Sequence, residues 1–254
     1  MSVSTRNTEK SADEKGGLYE TIKIIVQALL IALVIRTFLF QPFNIPSGSM
    51  MDTLLVGDYL FVSKYSYGYS RYSFPFGIVP IEGRVFGSEP ERGDIAVFKL
   101  PSDNATDFIK RVIGLPGDRI QMVEGVLHIN GEPVQRERIE DFVEVTPGGR
   151  TIRIPRYVET LPNGVRYNTL DAQPASMWDN TSVYTVPPGH YFMMGDNRDN
   201  SSDSRVQNYV GFVPLENFIG RAEIIFFSIG EGTPVWQIWN WPWAVRWGRI
   251  FDTL

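Results

Sequence analysis

The chain of 254 residues contains no cysteine. That single absence excludes disulfides, thiol nucleophiles and zinc–thiolate sites together. Histidine is almost missing as well, with only His128 and His190, too few donors for a histidine-built metal site. No loop has the EF-hand spacing that a carboxylate Ca²⁺ site would need, and no metal or cofactor is expected. A net charge of −5 offers no basic surface for nucleic acid. Lysine is scarce too, six against eighteen arginines. Lys10, Lys15 and Lys23 come before or at the start of an apolar stretch, so only Lys64, Lys99 and Lys110 remain downstream. The scarcity matters because arginine stays protonated, whereas a lysine can be tuned into a base. Two familiar serine-hydrolase patterns are also missing. Three residues before each lysine stand Asn7, Ala12, Glu20, Phe61, Ala96 and Asp107, so there is no Ser-x-x-Lys, and no Gly-x-Ser-x-Gly occurs. A Ser/His/Asp triad would have to use His128, in a hairpin strand, or His190, which follows Pro187-Pro188-Gly189.

What is present begins with one long apolar run. Residues 1–17 are polar with mixed charge and read as a mobile tail. Residues 22–40 follow as nineteen mostly apolar residues, about the ~20 that span a bilayer as a helix. Lys23 and Gln27 interrupt the run early and Arg36 late, and the two cations can snorkel to opposite interfaces. No small-x-small cleavage site clearly follows, which favours an uncleaved anchor over a secretory signal. Arg6, Lys10, Lys15 and Lys23 precede or enter the span, and after Phe40 the next basic residue is Lys64. The positive-inside rule then places the N-terminus in the cytoplasm and the rest of the chain outside.

Downstream the pattern is β. Short apolar runs at Tyr59–Val62, Ile95–Phe98, Phe108–Ile113, Ile120–Val123, Val126–Ile129, Tyr191–Met194 and Ala222–Phe227 are separated by turn residues. Asn130-Gly131 reads as a hairpin turn. A projecting β-ribbon is expected over 65–87, and residues 135–188, rich in Pro, Gly and Arg, read as a looser insertion. Trp236, Trp239, Trp241, Trp243 and Trp247 fall within twelve residues. Contact with the membrane interface and plain packing on the β domain both remain open for them.

The residues that can carry chemistry begin just after the apolar run, in Ile45-Pro46-Ser47-Gly48-Ser49-Met50-Met51. In an extended segment Ser47 and Ser49 share one face. One can attack while the other, with nearby backbone N–H groups, holds an oxyanion; a plain Ser/Gly turn after Pro46 is the alternative. Lys110 lies in Asp107-Phe108-Ile109-Lys110-Arg111-Val112-Ile113, on one strand face with Phe108 and Val112. Burial there would lower its pKa, which a lysine base requires. Lys64 and Lys99 also follow apolar strand residues, so strand context does not choose among them. The run Gly195-Asp196-Asn197-Arg198-Asp199-Asn200-Ser201-Ser202-Asp203-Ser204-Arg205 reads as a local hydrogen-bond network that holds a site in shape.

Taken in order, PSGSMMDTLLVGD after the anchor, RGDIAVFK, DFIKRVIGLPGD, and GDNRDNSSDSR with YVGFVP and GRA resemble the bacterial type I signal peptidase family. The resemblance covers most of 41–121 and 191–222. It implies a mainly β fold: a single N-terminal transmembrane helix, then a β-rich catalytic domain with a β insertion. The expected division is a cytoplasmic tail at 1–21, an anchor at 22–40, a catalytic β domain at 41–120 and 189–254, and an inserted second β domain at 121–188. It implies Ser49 as nucleophile, Lys110 as general base and Ser47 as an oxyanion-hole hydroxyl beside the Ser49 backbone. It implies Ser201 as the residue that orients the lysine amine, with Asp203 and Arg205 in support. Pocket walls for small residues at −1 and −3 of a cleavage site map to Phe43, Ile45, Met50, Leu54, Phe108 and Ile109. The implied substrates are preproteins with signal peptides, bound as an added β-strand. A monomer is expected in contact with phospholipid, in a bacterial inner membrane with its catalytic domain on the periplasmic side. One departure stands out: Asp52 occupies a position where many relatives have proline. A specialised peptidase for pilin or conjugation precursors would keep the same fold, and so would a non-catalytic membrane-tethered binding protein, against which the intact Ser49 and Lys110 argue. A self-cleaving Ser/Lys repressor would need a DNA-binding module where residues 1–40 hold an anchor.

Overall fold

The computed structural model describes residues 6–74, 81–145, 151–173, 175–230 and 232–254. Helix α1 runs Arg6–Val34 and continues as a π-helical turn over Ile35–Leu39. The helix thus reaches back into the stretch expected as a mobile tail, where Glu9, Lys10, Ala12, Glu14 and Lys15 are good helix formers; residues 1–5 of that stretch lie outside the described residues. Tyr19–Leu39 is long and apolar enough to cross a membrane. Ile24, Leu29, Leu30 and Ile31 are all more than half exposed. Among the described residues little covers the span before its end, where Thr37 is buried and the Phe38 ring meets Tyr69 and Phe74, and an apolar helix so exposed is suited to lipid.

Phe40 ends the helix and opens β1 (Phe40–Asn44). Its Pro42 cannot donate to a ladder, and β1 accordingly lies at the edge of the main sheet, beside β2 (Asp58–Ser63). That sheet has seven strands in the order β1-β2-β14-β3-β4-β12-β13. Its other members are β3 (Ile95–Lys99), β4 (Asp107–Gly114), β12 (His190–Met194), β13 (Val213–Pro214) and β14 (Phe218–Ser228), and every pairing between neighbours is antiparallel. A four-stranded sheet in the order β11-β5-β6-β7 joins β5 (Arg119–Val123), β6 (Val126–Ile129), β7 (Glu132–Pro133) and β11 (Tyr184–Thr185). Asn130 and Gly131 both have positive φ, 57° and 91°, at the β6–β7 turn, as a two-residue hairpin loop requires.

A third sheet, β10-β9-β8, is built from the long strands β8 (Gln135–Val145) and β9 (Thr151–Thr160) with β10 (Arg166–Leu170). The central strand carries Pro155. It is tolerated because Ile139 pairs with Arg156 and Phe142 with Ile154, so the proline falls at a bulge where no ladder bond is owed. Within 65–87 the described residues pair only at the isolated Tyr69–Val85 bridge, and Ser70 caps a 3₁₀ turn over Arg71–Ser73 instead; residues 75–80 of the expected ribbon lie outside the described residues.

Three apolar clusters hold the β region together. One, with Ile45, Met50, Leu54, Leu60, Val97 and Ile225, lies under the serine segment. A second packs Phe98, Val112, Tyr191 and Phe218 on the main sheet. The third carries Ile113 and Phe192 across to Ile120, Leu127 and Tyr167. Each fully buried side chain of this kind contributes roughly 1.5–3 kcal/mol.

Candidate active site

Ser49 sits in a 3₁₀ turn, Gly48–Met50, entered from an extended Ser47 (φ −134°, ψ 152°). The segment is therefore not extended throughout, as the alternation of serines predicts. The tight turn still brings the hydroxyls together, with Ser47 Oγ 3.4 Å from Ser49 Oγ. Met50 and Leu54 are fully buried and pin the turn to the core below.

Lys110 faces this turn from β4, where it pairs with Ala96 of β3. Its Nζ donates to Ser49 Oγ at 2.7 Å and to the Ile109 carbonyl at 2.8 Å, and it lies 5.3 Å from the centre of the Phe108 ring. Lys110 is 3 % exposed and Ser49 8 %. Burial pulls the ammonium down to about 8, with the Asp203 and Asp196 carboxylates opposing the shift. Lys64 is also lowered to about 8, by burial and by Arg36, so tuning alone does not single out Lys110. Position does: Lys64 Nζ donates to the Ser73 carbonyl, and Lys99 pairs with Asp107 at 2.7 Å. Of the three, only Lys110 reaches a serine hydroxyl.

The polar run after β12 wraps the serine turn. Asn197 donates its backbone N–H to the Ser49 carbonyl at 3.2 Å and its Nδ2 to the Gly48 carbonyl at 3.0 Å. Gly195 leaves room for this, since a Cβ there would lie 2.2 Å from Ser201 Oγ and 2.5 Å from the Ser49 carbonyl oxygen. Asp203 accepts from Arg205 Nε at 2.9 Å and Nη2 at 2.8 Å, and from the Gly195 N–H at 3.1 Å. Burial alone would raise the Asp203 carboxyl, but the Arg205 guanidinium prevails and holds it below the usual carboxylate range. Ser201 lies beside Gly195, next to Ser49; its buried Oγ helps to hold the Asp203 carboxyl down and makes no hydrogen bond to Lys110. The expected contact from Ser201 to the lysine amine is thus not made in this structure.

The proposed pocket walls divide between two clusters. Ile45, Met50 and Leu54 belong to the cluster under the serine, with Phe43 and Ile109 packed against it. Phe108 packs instead on the neighbouring cluster of Phe98 and Val112.

Several residues that the motif reading did not single out hold the site. Arg111 grips Asp196 through two bonds of 2.9 and 2.7 Å, and Thr53 Oγ1 donates to the same carboxylate at 2.6 Å. Buried Asp58 accepts from Arg249 at 2.7 Å and Arg246 at 3.3 Å, which ties the C-terminal segment to the end of the serine loop. Alternation along this strand drew attention to Lys110 and not to the opposite face with Arg111, and Arg246 and Arg249 had no local signal. Among the described residues, Asp171, Asp179 and Asp199 form the one acidic group compact enough to consider for a metal. Arg136 pairs with Asp171 at 2.7 Å, and the Ser176 and Gln173 N–H groups engage Asp179 and Asp199, so much of its charge is already answered.

Comparison with known proteins adds four findings. The sequence profile of the family described as signal peptidase, peptidase S26, matches residues 18–227. Signal peptidase I of Rickettsia conorii (strain Malish 7) is 42 % identical over 265 residues, covering 98 % of this chain and 95 % of the relative. That of Rickettsia typhi (strain Wilmington) is 44 % identical over 243 residues, covering 89 % and 90 %. A crystal structure of a signal peptidase I from Enterococcus faecalis V583 is 29 % identical and covers 53 % of this chain and 97 % of its own, with a TM-score of 0.31.

Proposed function

From the premise that the chain belongs to the signal peptidase family, peptidase S26, we propose a membrane-anchored serine endopeptidase that removes signal peptides with a Ser49/Lys110 dyad. The observation that carries the dyad is the 2.7 Å contact between a buried, depressed lysine and the serine hydroxyl. In its neutral form Lys110 accepts the Ser49 proton as Oγ attacks the carbonyl carbon of the scissile peptide. The oxyanion is held by Ser47 Oγ and the Ser49 N–H. Collapse breaks the C–N bond, and Lys110 returns the proton to the leaving amine. A water molecule then gives its proton to Lys110, attacks the acyl-enzyme ester and restores Ser49.

The substrate strand has a place to dock. β1 is an edge strand that leads directly into Ser47 and Ser49. β12 pairs with β4 only at Arg111, Val112 and Gly114, so among the described residues the start of β4 has an unpaired side next to Lys110. Small residues at −1 and −3 fit walls built by Ile45, Phe43 and Ile109 over fully buried Met50 and Leu54. Residues 121–188, which include most of the four-stranded sheet and all of the three-stranded one, act as the inserted unit. The N-terminus lies in the cytoplasm and the β domain outside, with the enzyme a monomer. Trp236, Trp239, Trp243 and Trp247 are 59–84 % exposed and meet the membrane interface, whereas Trp241 packs on Phe227 and donates to the Val235 carbonyl at 3.0 Å. Quenching of tryptophan fluorescence by brominated lipid tests this contact; no quenching would exclude it.

The enzymatic reading is tested with full-length protein in detergent and a preprotein carrying an Ala-x-Ala site. Wild type is expected to cut after the final alanine. Ser49→Ala and Lys110→Ala should fold and not cut. Cleavage at the wild-type rate by either variant would refute the dyad.

A further inference from the structure

We propose that the three-stranded sheet β10-β9-β8 positions the catalytic serine through Asp52, which acts as a clip between the sheet and the serine turn. Asp52 is the residue at which the serine motif departs from the family resemblance, which implies proline there in many relatives. Its Oδ2 accepts from Asn168 Nδ2 of β10 at 2.9 Å and pairs with Arg156 Nη1 of β9 at 3.3 Å. The Asp52 side chain is 10 % exposed. A proline could make neither contact, because its side chain has no acceptor.

The placement gives the clip leverage. Asp52 is three residues beyond Ser49. The next residue, Thr53, is tied through Asp196 to Arg111 of β4, next to the base. Neighbouring residues of one short loop are thus held by two different bodies, the inserted sheet and the strand that carries Lys110. Among the described residues the three-stranded sheet shares no ladder with the other two sheets, so its hold on the site runs through side chains and a few backbone bonds. Tyr167 and Leu161 pack it against Ile113 and Phe192, and the Arg111 guanidinium lies 4.3 Å from the Tyr167 ring. Of its polar junctions with the serine region, one is the Asp52 clip. A second is the buried group in which Arg198 meets Glu159 of β9 at 2.6 and 2.8 Å and the Tyr167 hydroxyl of β10 at 3.0 Å. Leu170 of β10 adds a backbone bond of 2.9 Å to the Asp196 carbonyl. The second junction sets the polar loop that grips Ser49 from behind, and the clip sets the same turn from its C-terminal side. With both made, the distance from Ser49 to Lys110 is fixed from two sides. Because a misplacement of ~1 Å can cost ~10²-fold in rate, releasing one side should slow acylation and leave substrate binding to β1 and β4 intact.

The inference rests on Ser49 being the nucleophile, and its test separates the two ideas. Active sites of the full-length enzyme in detergent are counted by covalent labelling of Ser49 with an acylating inhibitor, and kcat is expressed per labelled site. Asp52→Ala is expected to lower this per-site kcat about tenfold with KM changed by less than about twofold. Arg156→Ala combined with Asn168→Ala should do the same from the other side of the clip. Adding Asp52→Ala to that pair should cost little more, as for groups that act through one contact. Asp52→Asn, which keeps an acceptor for Asn168, should recover part of the rate. The acidic limb of the pH profile should stay in place, since the burial of Lys110 is untouched. If the variants lose labelled sites but keep the wild-type rate per site, the clip merely stabilises the fold and the inference is overturned. If Asp52→Ala does not fold, the Arg156→Ala and Asn168→Ala pair decides by the same criterion. Failure of wild type to label at Ser49 would overturn the nucleophile assignment itself.

Discussion

Lys110→Met should abolish cleavage and at the same time stabilise the protein at neutral pH. Burial draws the Lys110 ammonium down to about 8 in the folded chain, whereas an unfolded lysine titrates near 10.4. Between those values the unfolded chain holds the proton more firmly, so folding stability rises with pH across that window. Below about 8 the folded protein bears the full cost of burying a cation that the unfolded chain keeps in water. A gap of roughly two and a half pH units corresponds to about 3 kcal/mol. Methionine fills a similar volume without charge, at the loss of two hydrogen bonds worth about 0.5–1.5 kcal/mol each. The expected net gain is up to about 2 kcal/mol at pH 7, a rise in Tm of up to about 8 °C for a chain of this size. It should shrink towards pH 10 and vanish as the lysine becomes neutral in both states. Thermal unfolding in detergent at pH 7, 8.5 and 10 measures the stability side. On the activity side, wild-type kcat/KM should climb with unit slope through about pH 8 and level above it, because only the neutral amine accepts the serine proton. A variant no more stable than wild type at pH 7, or a wild-type profile flat from pH 6 to 9, would refute a buried lysine base.

Other variants report on the turn and its supports. Ser47→Ala removes a hydroxyl 3.4 Å from Ser49 Oγ and should lower kcat by ~10–10³-fold with KM nearly unchanged; a kcat within about twofold of wild type would remove Ser47 from the oxyanion site. Gly195→Ala places a methyl group 2.2 Å from Ser201 Oγ and 2.5 Å from the Ser49 carbonyl, so it should displace the serine turn and depress kcat; wild-type kinetics would show that the turn tolerates the shift. Asp58→Asn leaves Arg246 and Arg249 facing a neutral amide, at a cost of about 3 kcal/mol. Urea unfolding reads that loss, and an unchanged midpoint would mean that the C-terminal segment is held by other contacts.

Scarce residue types narrowed the candidate site in the sequence, and the family resemblance, not strand context, singled out Ser49 and Lys110. With three lysines downstream of the anchor and no cysteine, the choice of base was short. The strands β2, β3, β4, β5, β6 and β12 follow apolar runs bounded by turn residues, and each lies within a residue or so of its expected place. The long strands β8 and β9 were harder to read. Charged residues such as Arg138, Glu140, Glu144 and Arg153 crowd them, only Ile154 and Glu159 of β9 are buried, and so hydrophobic alternation carries little signal. The strand β1 was hidden because its phenylalanines continue the apolar run of the helix, and only the change at Phe40 to φ −127° and ψ 134° ends it. Long-range charge contacts were beyond local reading. Arg156 meets Asp52 across 104 residues, and Arg249 meets Asp58 across 191. Such pairs depend on how the sheets meet, and no spacing along the chain announces them.

The most direct measurement is to trap the acyl-enzyme with a signal-peptide substrate or acylating inhibitor and locate the adduct by mass spectrometry of digested protein. The expected result is a single adduct on Ser49 in wild type, formed faster as pH rises through about 8, and none in Lys110→Met. An adduct on Ser47, or undiminished labelling of Ser49 without Lys110, would contradict the Ser49/Lys110 dyad.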